Sequence, residues 1–98
     1  MFYQHSITEV RNAIEKVQPG TSAKECVLEI GMPATLEHIL WMCERIQEMD
    51  TSSEDELAKA SRWIGWIYAQ MEILRIWNNG FSRSLASEDR KHYWDMRH

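Results

Sequence analysis

Apolar residues recur at helical spacing along almost the whole chain. Ile7, Val10, Ile14 and Val17 share one face of a first segment, because steps of three and four residues close a turn at about 100° per residue. Pro19-Gly20 is a stop for that segment. Ala23, Cys26, Val27 and Ile30 keep the spacing up to Gly31. The run CVLEI reads equally as a short strand, but nothing elsewhere pairs with it, so helix is the expectation. Pro33 disfavours helix at Met32, and Thr35 suits an N-cap. The next stripe then buries Leu36, Ile39, Leu40, Cys43, Ile46 and Met49. Ser6-x-x-Glu9, Ser22-x-x-Glu25 and Ser53-x-x-Glu56 have the form of capping boxes, in which each side chain satisfies an otherwise unpaired amide. These signals predict an arm over 1–5 and helices over 6–18, 22–30, 36–49 and 54–78. Asn78-Asn79-Gly80 is a strong stop, FSRSLA is a connector, and Ser87 opens a short last helix over 87–97. No repeat or second domain interrupts residues 1–98.

The longest predicted helix carries two apolar seams. Leu57, Ala60, Ile64, Ile67, Met71 and Leu74 form the first, suited to an antiparallel hairpin with the 36–49 stripe across a short polar linker. Trp63, Trp66, Ile73 and Trp77, with Gln70 among them, form the second. Three tryptophans bury about 150–250 Å² each, so this seam matches the roughly 300–600 Å² patch that a monomer leaves exposed. The expectation is an all-α, small helical bundle around one long central helix, assembled as a homo-oligomer whose second subunit covers the tryptophans.

Composition narrows the function classes. With 44% apolar and 27% charged residues, wholesale disorder is excluded. The net charge of −4 disfavours binding of DNA through general electrostatics, and the helix-turn-helix that Gly31 suggests would present Glu37 to the phosphates. Twelve of the fifteen acids precede Gly80, and the remainder of the chain is slightly basic. Cys26 and Cys43 fit no redox or zinc spacing and, at apolar-periodic positions, read as buried free thiols of a reducing cytosol. No leader-like or membrane-spanning apolar run is apparent, and a cytoplasmic location is expected.

Candidate chemistry is that of binding rather than catalysis. No metalloprotease, phosphate-loop, dinucleotide or nucleophile-elbow pattern occurs, and His38 beside Glu37 lacks a catalytic companion. No cofactor or metal is expected. Lys59, Arg62 and Trp66 fall at i, i+3 and i+7, which would offer two cations and an indole to a phosphorylated nucleotide. The competing reading has the cations lying over packed tryptophans at the margin of a core. Arg90, Trp94 and Arg97 form a second set, which either complements the dipole of a helix end or closes a pocket on another subunit.

The run Lys59-Ala60-Ser61-Arg62-Trp63-Ile64-Gly65-Trp66 resembles a K-x-x-R-W-[LI]-G-aromatic motif of small bacteriophage accessory proteins. Leu36-Glu37-His38-Ile39-Leu40 and the acidic Ser53-Glu54-Asp55-Glu56 correspond to elements that precede the motif there. The likeness spans roughly the C-terminal two-thirds of the chain, although a Gln-Gly pair of the pattern is missing at Tyr68-Ala69. It implies a protein that acts in the host cytoplasm and counters antiviral defence by binding. The expected ligand is a cyclic nucleotide second messenger, and the alternative is a host defence protein. Lys59 and Arg62 would then hold phosphate, Trp66 and Trp94 would stack on bases, and Arg90 and Arg97 would be second-subunit cations.

Overall fold

The computed structural model describes residues 2–26 and 31–97, with side chains described as far as Lys91. Four helices account for its regular structure: α1 (Gln4–Val17), α2 (Leu36–Glu48), α3 (Glu54–Ile73) and α4 (Asn79–Arg97). There is no strand among the described residues. Packing runs round a ring, α1 on α2, α2 on α3, α3 on α4, and α4 back on α1. A radius of gyration of 13.3 Å is that of one compact unit of this length, about 13 Å for 100 residues.

The core follows the apolar stripes closely. Ile7, Val10 and Ile14 from α1, Ile39, Cys43 and Ile46 from α2, and Ala60, Ile64, Ile67 and Met71 from α3 are all buried. Burial pushes the Cys43 thiol up to about 12, since an apolar surround penalises the thiolate. Val17 leaves its stripe and is 59% exposed, because α1 stops at that residue. Gly20 then takes a left-handed φ of 78° in the turn. The helix expected over 22–30 does not form where the chain is described, since residues 21–26 carry no regular structure. That segment is tied instead to α2, through the Lys24 amide on the Glu37 carbonyl and the Cys26 amide on His38 Nδ1. Residues 27–30 lie outside the described part.

The capping signals are corrected in three places, the first being Ser22, which opens no helix in the described residues. Thr35 does cap α2, its hydroxyl accepting from the His38 amide at 3.2 Å. Ser6 does not begin α1, which starts two residues earlier after Tyr3 without a side-chain cap. Ser6 lies instead in the first turn, fully buried, where its amide donates to Asp89 Oδ1 at 3.4 Å. Its hydroxyl donates to the other Asp89 oxygen and takes a bond from the Tyr68 hydroxyl at 2.5 Å. The cap of the first helix therefore comes from the last one, 83 residues away. Ser53 does precede α3, yet its side chain makes no cap bond. Glu56 reaches past it to the Asp50 amide at 2.7 Å.

The end of α3 is the larger departure. The helix stops at Ile73, not at Trp77 or Asn78. The Arg75 amide donates to Glu72 and the Ile76 amide to Met71, with Arg75 at φ 58°. This is a Schellman motif with arginine at the left-handed position where glycine is usual. Asn78 then starts a helix rather than stopping one, since its Oδ1 accepts from the Phe81 amide at 2.9 Å, the geometry of an N-cap. FSRSLA is the first two turns of α4, which opens at Asn79 instead of Ser87. Its inward positions, Ser82, Leu85 and Asp89, keep helical spacing, but two of the three are polar, so no apolar stripe marks them.

Two outcomes follow for stability. Replacing Arg75 with glycine removes the left-handed strain of a side-chain-bearing residue, about 1–2 kcal/mol, against a smaller entropic loss. Chemical denaturation of Arg75→Gly should give a net gain of about 0.5–1 kcal/mol, and a loss would show that the turn needs the arginine. Asp89 is 1% exposed, and burial raises its pKa above 3.8 despite the bonds from Ser6 and the main chain at His5. A carboxyl with a raised native pKa stabilises fully below its unfolded value, and that contribution is lost as pH rises through the native value. Asp89→Asn keeps an acceptor and removes the charge. The melting temperature of the variant should therefore improve relative to the parent as pH rises above 3.8; the opposite trend would mean that the carboxylate is favoured in place.

Candidate functional site

Helices α2 and α3 meet along a ladder of rings. His38 stacks on Trp41 with centroids 5.3 Å apart, and Trp41 stacks on Trp63 at 6.1 Å. Trp66 meets His38 edge-on at 6.1 Å. The rungs pair in antiparallel order, with 38 against 66 and 41 against 63. His38, Trp41 and Arg45 are spaced i, i+3 and i+7 on α2, as Lys59, Trp63 and Trp66 are spaced i, i+4 and i+7 on α3. This register sets Arg45 and Lys59 at the same end. Each also covers an indole, Arg45 over Trp41 at 5.7 Å and Lys59 over Trp63 at 5.2 Å, as expected for a cation on an electron-rich ring face. The Arg45 Nε is buried with no hydrogen-bond acceptor among the described residues, and its terminal amine meets Glu48 at 2.9 Å.

Three of the expected site residues, Lys59, Arg62 and Trp66, lie on α3. Lys59 and Arg62 are exposed one turn apart on α3. The ring beside Lys59 is Trp63, and Trp66 lies toward the opposite end of the ladder. Arg90 is exposed on α4 and makes no bond or ring contact with this group among the described residues. The side chains of Trp94 and Arg97 lie outside the described part. Periodicity missed Trp41 and Arg45 as site residues, although their three- and seven-residue offsets from His38 were legible. Their meaning depended on the facing helix.

His38 is the polar rung. Its Nδ1 accepts the Cys26 amide at 3.1 Å, which requires an unprotonated nitrogen there. Partial burial lowers its pKa below 6.5, with Glu25 opposing. The same residue joins the loop before α2 to the ring ladder.

Several open clefts lie away from the ladder. The largest described, about 550 Å³, runs between α1 and the start of α4, over Ile76, Trp77 and Phe81. Among the described residues no cluster of three His, Cys, Asp or Glu side chains is arranged to hold a metal ion. No helix there is long and apolar enough to cross a membrane. Compared with protein-family models, curated proteins and solved structures, the chain matches none.

The geometry at His38 has a direct readout. Its imidazole should titrate below 6.5 in an NMR pH series, with the Cys26 amide resonance moving in the same step as its acceptor is protonated. The neutral form supplies the stability here, present above 6.5 and lost as pH falls through the native value. A midpoint above 6.5 would contradict the assigned contact.

Proposed function

We propose that this chain is a non-enzymatic binding protein, with the cation-bearing end of the α2–α3 ring ladder as its ligand surface. The observation that carries this reading is the pairing of two indoles, Trp41 and Trp63, each under a cation. Such a surface suits a planar anion: a base packs against the indole edges that the ladder leaves open, and phosphate takes the cations. Lys59 and Arg62 keep the phosphate role, Arg45 joins them, and Trp63 replaces Trp66 as the nearest ring. The ligand class is a nucleotide. The resemblance to bacteriophage accessory proteins supports a role in sequestering a cyclic nucleotide signal of host antiviral defence, in the host cytoplasm.

A homo-oligomer, with α3 as its central helix and Arg90, Trp94 and Arg97 of a second subunit closing the pocket, belongs to the same proposal. Its support has shifted. Trp63, Trp66 and Trp77 are half-buried against their own core, so the tryptophan seam no longer demands a partner. Among the described residues the exposed large apolar side chains are instead Val17, Met32, Ile73 and Phe81. A second reading, inhibition of a host defence protein through direct contact, is favoured by the acid-lined cleft at Trp77 and Phe81.

Calorimetric titration with a panel of cyclic di- and trinucleotides, followed in parallel by tryptophan fluorescence, tests the proposal. Binding with indole quenching is expected, weakened about tenfold or more in Lys59→Ala/Arg62→Ala. Silence across the panel, or unchanged affinity in the variant, would overturn the nucleotide reading. Steady turnover of any nucleotide would defeat the non-enzymatic claim. The solution mass of the protein, with and without ligand, reports whether subunits are shared.

A further inference from the structure

The cleft between α1 and the α3–α4 junction is lined by Ala13, Ile76, Trp77 and Phe81 and by the charged side chains of Glu9, Glu15 and Lys16, with Glu15 also accepting the Gly20 amide at 3.2 Å. Its volume of about 550 Å³ lies in the range of pockets that engulf large groups, about 300–1,000 Å³. The aromatic lining is held in place by its own contacts. Trp77 Nε1 donates to Ser82 Oγ at 3.0 Å, and Ser82 in turn donates to Glu72. The Trp77 ring lies 4.9 Å from Phe81. The left-handed residue Arg75 reverses the chain just before Ile76, so backbone strain is spent on aiming these side chains. Phe81 nevertheless stays 38% exposed, and Val17, one turn beyond Ala13 on α1, is 59% exposed. The apolar strip thus continues along α1 at helical spacing.

We infer that this cleft is a docking groove for a cation-bearing amphipathic helix of a partner protein. Large apolar side chains at three- and four-residue spacing enter over Trp77 and Phe81, as in helix-in-groove recognition. Lysines or arginines beside them meet Glu9 and Glu15. The same carboxylates argue against the other occupants. A phosphate-bearing ligand meets two carboxylates there, and a second copy would bring two more of its own, with only Lys16 of each copy to offset them. Lys16, in the same lining, sets the direction by repelling the partner's most basic end. This groove lies on different elements from the ring ladder and does not rest on the nucleotide reading.

The probe is a synthetic Leu/Lys amphipathic helix peptide about four turns long, with a Leu/Glu peptide of the same spacing as its counterpart. Fluorescence anisotropy at low salt should show the Leu/Lys peptide binding about tenfold tighter or more than the Leu/Glu peptide. Glu9→Lys/Glu15→Lys should weaken it about tenfold, as should Phe81→Ser. A charge-matched control away from the groove, Glu54→Lys/Asp55→Lys, should leave it unchanged. Equal loss in the control variant would reduce the effect to general electrostatics and overturn the assignment. Equal binding of the two peptides, or none, would do the same. Sedimentation showing self-association that Phe81→Ser abolishes would give the groove to a second copy instead. Circular dichroism of each variant confirms that the helices persist.

Discussion

Asp89 holds the first helix and the last one to a common register. Helix starts leave unpaired amides that need acceptors, and α1 has none of its own, since Tyr3 offers no side-chain cap. The carboxyl of Asp89 fills that place and takes the Ser6 hydroxyl as well, while Tyr68 of α3 completes the chain of bonds. Burial raises Asp89, and it pushes the Tyr68 hydroxyl up to about 12. Three helices thus converge on one buried polar group whose members satisfy one another, the condition under which such a network adds specificity rather than penalty. The ring of α1, α2, α3 and α4 closes through it.

A second constraint acts on the other side of that ring. The Asp50–Ser53 linker, braced by Glu56 on the Asp50 amide and by Ser52 on Asp50, turns α2 back along α3. Antiparallel register then decides which rings meet. Trp41 finds Trp63, and His38 finds Trp66, without any of the four being fully buried. Trp41, Trp63, Trp66 and Trp77, which look too numerous for one small chain, are partly buried against its own core. Among the described residues, the apolar surface left over lies at Val17, Met32, Ile73 and Phe81.

The two candidate surfaces differ in electrostatic character for a structural reason. Cations of α2 and α3 gather over indoles at one end of the ladder. Acids of α1 line the cleft together with the α3–α4 junction. A net charge of −4 describes neither face. Partner selection on a protein this small follows from local grouping, and the Arg75 turn, which ends α3 early, creates the second face by freeing Ile76 and Trp77 from the helix.

The all-helical class, the buried stripes of α1, α2 and α3, and the Thr35 cap were legible in the chain because each is encoded within a few residues. Helical periodicity is a local property, and burial at Ile7, Ile39 or Ile64 needs only some neighbour, not a particular one. The start of α4 was hidden because its inward face carries Ser82 and Asp89, polar residues whose burial makes sense only once Glu72, Ser6 and Tyr68 are beside them. The early end of α3 was hidden because arginine took the place that glycine usually signals. Ring partners, the cap of α1 and the cleft lining each join residues distant in sequence, so packing alone decided them.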